Sequence, residues 1–114
     1  PARTTVRGQG SGGPAAGRPA RLEVVGDLDL AGAARVRAAV LAAAGTGGDL
    51  ELDLTGTSYL ASAGLTLLAD AAERAAAGGG KLTVVVRPAG QVARALAVTG
   101  LDGPIAVCWP DRTR

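Results

Sequence analysis

Histidine, phenylalanine and methionine are absent from this chain of 114 residues, which contains one cysteine, one tyrosine and one tryptophan. Without histidine there is no imidazole base, so a Ser-His-Asp relay and a Cys/His zinc site are excluded. A single cysteine excludes a disulfide within the chain. Two aromatic residues provide no stacking platform for single-stranded nucleic acid. We therefore expect neither a conventional hydrolase nor a zinc enzyme, and we predict no metal and no cofactor.

Charge and hydropathy restrict the partners further. Twelve basic residues accompany ten acidic ones, and the formal net charge of +2 lacks the positive surplus of a nucleic-acid-binding domain. No segment approaches the ~20 consecutive apolar residues that a bilayer-spanning helix needs. No signal-peptide pattern is present. The sequence thus predicts a cytoplasmic domain that binds neither nucleic acid nor membrane.

Small residues are abundant instead: the chain has 25 alanines and 18 glycines. This length suits one domain, whose core must consist mainly of Leu, Val and Ala. Residues 1–20 are predicted to form a flexible arm with an edge strand at residues 3–7, residues 21–109 the folded domain, and residues 110–114 a tail. The chain begins at Pro1, which fits a piece of a larger regulator or loss of an initiator methionine, and we favour the former.

Hydrophobic periodicity divides residues 21–109 into alternating strands and helices. Strands are predicted at residues 21–26, 49–54, 81–87 and 105–109, and helices at 31–44, 61–77 and 91–98. Cys108 lies in the last apolar strand and is expected to be buried. Over residues 49–54 acidic residues and leucines alternate, which is typical of a strand with one buried face. We predict an α/β fold with a four- to five-stranded, mostly parallel mixed sheet and helices mainly on one face.

The turn that precedes the second helix contains Ser62. In a structural interpretation Ser62 is the N-cap of this helix, and its oxygen accepts a hydrogen bond from a backbone N–H. In a functional interpretation a phosphate on Ser62 meets free N–H groups and the positive end of the helix dipole, and its charge changes the surface that partners contact. The residues by themselves leave both interpretations open.

A second polar turn, Gly26-Asp27-Leu28-Asp29, follows the first regular strand. Because the carboxyl ends of parallel strands share one edge of a sheet, we expect Asp27 or Asp29 to lie near Ser62. Two such carboxylates could perform acid-base work, but we favour a role in capping the following helix. Lys81 begins its strand at the opposite edge, so Ser62 has no base, and we predict that the domain is not an enzyme.

Four segments, in this order and spacing, resemble the STAS domain of bacterial anti-sigma factor antagonists. They are residues 26–29 (GDLD), 59–65 (YLASAGL), 80–85 (GKLTVV) and 92–101 (VARALAVTGL). The resemblance implies a non-catalytic cytoplasmic switch. Such a domain binds an anti-sigma factor that is also a serine kinase of the histidine-kinase-like ATPase type, and thereby frees a sigma factor. Phosphorylation of a serine at the helix start abolishes binding, and a metal-dependent serine phosphatase restores it.

Ser62 corresponds to the phosphate acceptor of this family, whose pattern at the turn is Asp-Ser-Ser/Thr-Gly. Ala61 stands in place of the acidic residue and Ala63 in place of the second hydroxyl. Either Ser62 is still phosphorylated, or the altered turn is a poor kinase substrate and the domain binds its partner constitutively. We favour phosphorylation, because the attacking hydroxyl is present at the start of the helix.

The resemblance also predicts a partner-binding surface around this turn. Its residues are Asp27, Asp29, Tyr59, Ala61, Ser62, Ala63, Gly64 and Leu65. An alternative role is that of a STAS-type regulatory subunit or domain of a membrane transporter or lipid-transport complex. A fused membrane span or a neighbouring transporter gene would favour that role, and no residue of this chain supports it.

Overall fold

The computed structural model describes residues 3–9 and 20–110. The strands are β1 Thr5–Gln9, β2 Ala20–Val25, β3 Leu50–Gly56, β4 Leu82–Val85 and β5 Ala106–Cys108, and the helices are α1 Leu30–Ala44, α2 Ser62–Ala77 and α3 Gln91–Thr99. The predicted alternation of strands and helices is confirmed. The predicted edge strand is present as β1, shifted along the chain. The glycine-rich residues 10–19 and residues 111–114 of the predicted tail lie outside the described residues.

The five strands lie side by side in the order β1-β2-β3-β4-β5. β2, β3, β4 and β5 are parallel, and β1 pairs with β2 in the antiparallel direction. Each connection through a helix moves one strand further in the same direction. Right-handed crossovers that all step the same way place their helices on the same face of the sheet. The predicted mostly parallel mixed sheet with helices on one face is confirmed.

The core lies between this face and the helices. Leu50, Leu52 and Leu54 of β3 are each 1% exposed, whereas Glu51 and Asp53 alternate with them and belong to the opposite face. Six of the ten residues that α1 and α2 bury are glycine or alanine. The ten are Gly32, Ala33, Val36, Val40 and Ala44 on α1 and Gly64, Leu67, Leu68, Ala71 and Ala75 on α2. Short side chains let α1 pack closely against α2, so the core needs no large aromatic residue.

The opposite face of the sheet bears charged side chains. Arg21 on β2 forms ion pairs with Glu51 at 2.7 Å and with Asp53 at 2.8 Å on the adjacent strand.

Cys108 is exposed, so the prediction that it is buried is wrong. Val107 packs against the core, and strand alternation then turns the side chain of Cys108 to the opposite face. Within the described residues, no helix has the length and apolar character needed to cross a bilayer.

Candidate functional site

Two strand-to-helix turns lie side by side at the carboxyl edge of the sheet. The N–H of Leu28, between β2 and α1, donates to the carbonyl oxygen of Tyr59 at 2.9 Å. The N–H of Ala61, just before α2, donates to the carbonyl oxygen of Leu28 at 3.1 Å. These bonds form a parallel bridge between Leu28 and Leu60. The structure therefore brings the turn that contains Asp27 and Asp29 next to the turn that contains Ser62, as expected.

The two turns have the same backbone design. The N-cap of α1 is Asp29 (φ −86°, ψ −170°), and the N-cap of α2 is Ala61 (φ −95°, ψ −179°). Both are extended and differ by about ten degrees, so a side chain at either position can approach the following helix in the same way. Each stands directly after the bridged residue of its own turn.

A glycine is the third residue of both helices because the turn that contains Asp27 and Leu28 lies against both positions. A Cβ on Gly32 would collide with the carbonyl oxygen of Asp27. A Cβ on Gly64 would lie 2.6 Å from the carbonyl oxygen of Leu28, where real Cβ atoms are not found. Gly64 is buried. Of the predicted partner-binding residues, it is the one that allows the two turns to approach each other.

The two helices differ in their caps. The Asp29 carboxylate accepts a hydrogen bond from the N–H of Gly32 at 2.8 Å, so the predicted capping role is confirmed for Asp29. The side chain of Asp27 is exposed and makes no hydrogen bond or ion pair with the described residues. Its carbonyl oxygen accepts a hydrogen bond from the Thr4 hydroxyl at 2.6 Å, which ties the start of β1 to this turn.

Ser62 is not the N-cap of α2, contrary to the structural interpretation of the sequence. The N-cap is Ala61, whose methyl group accepts no hydrogen bond, and Ser62 is the first residue of the helix. The first N–H groups of α2 therefore have no side-chain cap, whereas those of α1 do. Ser62 itself is exposed and makes no side-chain hydrogen bond within the described part of the chain. Its hydroxyl is accessible to a partner.

The exposed side chains of these two adjacent turns form what we call the carboxyl-edge surface, which consists of Asp27, Asp29, Leu30, Tyr59 and Ser62. Leu30 is 78% exposed and Tyr59 is 48% exposed, although both are large and partly or wholly apolar. Sequence reasoning missed Leu30. The sequence did contain a signal for its exposure, which is its position directly after a capping aspartate. The first residue of a helix that starts at the edge of a sheet lies outside the core.

The remaining predicted partner-binding residues are less exposed than Ser62. Ala61, Ala63 and Leu65 are half-buried, and Ala63 and Leu65 pack against the core.

A second residue that sequence reasoning missed is Gln91, the first residue of α3. Its side-chain oxygen accepts from the N–H of Leu60 at 2.7 Å, and its side-chain nitrogen donates to the carbonyl oxygen of Leu60 at 3.0 Å.

The acidic residues do not gather into a metal site. Within residues 3–9 and 20–110, no group of three or more His, Cys, Asp or Glu side chains is placed to hold a metal ion. The arrangement instead offers a hydroxyl at a helix start, two neighbouring carboxylates and two exposed apolar side chains.

Comparison with known proteins gives a family match and a structural match. The family model described as "Mlab, STAS domain" matches residues 12–107. The chain is similar to the crystal structure of an anti-sigma factor antagonist from Mycobacterium paratuberculosis, with 26% sequence identity and a TM-score of 0.76. That match covers 96% of this chain and 88% of the other chain. Among curated proteins, none matches the chain.

Proposed function

The chain belongs to the STAS domain family, and from this premise we propose that it is an anti-sigma factor antagonist whose binding is switched at Ser62. The sequence resemblance to this family is confirmed by the family match and by the structural match. A STAS domain of this kind has a regulatory role in protein interaction, and its family is generally non-catalytic. We further propose that residues 21–109 are the interaction domain, that residues 1–20 add the edge strand β1 to its sheet, and that residues 110–114 are a tail.

The proposed partner is an anti-sigma factor that is also a serine kinase of the histidine-kinase-like ATPase type. It binds the carboxyl-edge surface, where Leu30 and Tyr59 offer apolar contact area and two aspartates offer negative charge. When this domain binds the anti-sigma factor, the sigma factor is released. The observation that supports this proposal most directly is the exposed hydroxyl of Ser62 at the first residue of α2.

Phosphorylation would act on this surface through charge. The Ser62 oxygen attacks the γ-phosphorus of ATP and passes its proton to a base of the kinase, while the bond between the γ-phosphorus and the oxygen of ADP breaks and ADP leaves. The phosphoserine has a charge of about −1.5 to −2 at neutral pH. This charge lies in the turn next to that of Asp27 and Asp29, whose pocket also contains Arg3 and Arg35. It therefore changes the balance of charge on the surface that the partner contacts and disrupts the fit. A metal-dependent serine phosphatase reverses the change by hydrolysis.

The start of α2 tolerates this phosphate for a physical reason. Anions are stabilised at a helix N-terminus by unpaired N–H groups and by the helix dipole. In α2 these N–H groups have no side-chain cap, because Ala61 provides none. The modification thus weakens partner binding without destabilising the domain.

Binding measurements with charge variants test this proposal. We expect Ser62→Asp to weaken binding to the anti-sigma factor kinase of the same organism at least about tenfold, or ~1.4 kcal/mol, in isothermal titration calorimetry. Ser62→Ala should bind like the wild type. Thr46→Asp is the matched control, because it adds the same charge at an exposed position beside the amino ends of the strands. Equal affinities for Ser62→Asp and the wild type would refute the proposed surface.

Mass spectrometry tests the modification separately. After incubation with the kinase and Mg-ATP, the wild type should gain the mass of one phosphoryl group and Ser62→Ala should gain none. An unchanged wild-type mass together with tight binding would favour the constitutive binder that the altered turn also allows. Binding to a transporter subunit in place of the anti-sigma factor would favour the alternative role predicted from the resemblance.

A further inference from the structure

The segment that leads to Ser62 extends beyond its neighbour strand. β4 ends at Val85, and the chain then runs through Pro88 to α3. The continuation of β3 passes through a turn, in which the Thr57 N–H donates to the Leu54 carbonyl at 3.0 Å, and then reaches Leu60 and Ala61. Leu28 pairs with this continuation on one side, through the carbonyl oxygen of Tyr59 and the N–H of Ala61. In an extended chain, the N–H and carbonyl of the residue between them point to the other side. Among residues 3–9 and 20–110, no strand pairs with Leu60 on that side.

Leu60 is the residue between them, and it is 2% exposed. Water therefore has little access to its backbone groups, and a buried backbone group without a partner is costly. The side-chain amide of Gln91 meets both groups, with the oxygen 2.7 Å from the Leu60 nitrogen and the nitrogen 3.0 Å from the Leu60 oxygen. A glutamine amide has one acceptor and one donor group in a plane, like a peptide group. Gln91 thus replaces the missing strand.

We propose that Gln91 is a positioning residue for Ser62: its amide clamps the backbone of Leu60 and thereby sets where the Ser62 hydroxyl is presented. Leu60 precedes the N-cap Ala61, and Ala61 has no side-chain bond that would hold the start of α2. The position of Ser62 therefore depends on backbone contacts to Leu28 on one side and on Gln91 on the other. The consequence for phosphorylation rests on the proposed function, whereas the clamp itself does not.

Two variants at Gln91 separate its two hydrogen bonds. Gln91→Met has a similar length and removes both bonds. Gln91→Glu keeps the acceptor for the Leu60 N–H and removes the donor to the Leu60 carbonyl, which then faces a negative oxygen. Thr99→Val is the matched control, because it removes a side-chain to backbone bond, 2.8 Å from Thr99 to the Ala95 carbonyl, at the far end of the same helix.

Nuclear magnetic resonance of the full ¹⁵N-labelled chain tests the clamp without any partner. In Gln91→Met we expect the Leu60 amide to exchange with solvent roughly tenfold faster, the factor expected for one lost hydrogen bond, and the Ser62 and Ala63 signals to shift. In Gln91→Glu the Leu60 amide should stay protected while the same two signals shift. Thr99→Val should leave all of them unchanged.

Two results would overturn the proposal. One is that the Ser62 and Ala63 signals in Gln91→Met and Gln91→Glu coincide with those of the wild type. The other is that exchange accelerates equally at all sheet amides, since this would mean that Gln91 contributes to global stability only. If Gln91→Met does not fold, Gln91→Glu by itself decides between these results.

The kinase reaction provides a functional measurement. We expect Gln91→Met to lower kcat for Ser62 phosphorylation roughly tenfold with KM within about twofold of the wild type, because a misplaced nucleophile impairs the reaction more than binding. Unchanged kcat in Gln91→Met would refute the role in presenting Ser62. If the wild type accepts no phosphate, the proposed switch at Ser62 fails, and the resonance measurements still support or overturn the clamp.

Discussion

Replacing Ala61 with aspartate should stabilise the domain, because the structure contains the same turn with an aspartate in place. Asp29 and Ala61 have nearly the same backbone angles, and both precede a helix with glycine as its third residue. Asp29 accepts from the N–H of Gly32 at 2.8 Å, and an aspartate at position 61 should accept from the N–H of Gly64 in the same way. Such a cap contributes ~1 kcal/mol over alanine.

The reverse substitution on α1 calibrates this value. Asp29→Ala should lose ~1 kcal/mol, and Ala61→Asp should gain a similar amount, since the negative charge also interacts favourably with the helix dipole. For a domain of this size, 1 kcal/mol corresponds to a change in Tm of about 4 °C. Urea unfolding followed by circular dichroism measures both variants. A loss of ~1 kcal/mol in Asp29→Ala without any gain in Ala61→Asp would refute the equivalence of the two turns.

Two further substitutions test the backbone of this edge. Gly64→Ala should lower the free energy of unfolding in urea by ~2 kcal/mol or more, because the new Cβ would lie 2.6 Å from the Leu28 carbonyl oxygen and would overpack the site. Gly48→Ala is the control and should be close to neutral, because no atom lies within 4 Å of the new Cβ. Equal stability of the two variants would contradict this prediction. Ala89→Gly should gain about 0.5–1 kcal/mol, because Ala89 has φ 63° in the left-handed region that glycine adopts without strain; a lower Tm would contradict the expected strain.

Much of the fold follows from local patterns. The alternation of acidic residues and leucines over residues 49–54 identifies the core face of β3, since side chains on a strand alternate between its faces. Glycines after Ala44 and Ala77 end the first two helices, as the composition of these segments indicates. The order of strands and helices, with right-handed crossovers, is then sufficient to predict a mostly parallel sheet with helices on one face.

The predictions for Cys108 and for Ser62 as an N-cap failed because each depended on the exact position of a single residue along its strand or helix. The apolar run that contains Cys108 suits a buried strand, but β5 has three residues and its middle residue, Val107, faces the core. Ser62 is a favourable N-cap by type, but the bridge between Leu28 and Leu60 makes Ala61 the last extended residue. Propensity is a weak preference, and pairing with a distant segment overrides it.

The sequence by itself determined the order of the elements and the leucines of the core, because composition and periodicity are properties of neighbouring residues. Only the tertiary structure decided which of the two aspartates caps α1, that Ala61 and not Ser62 is the N-cap of α2, and that Gln91 holds Leu60. Gln91 and Leu60 are 31 positions apart in the chain, and a contact over that distance follows from how strands end and helices pack.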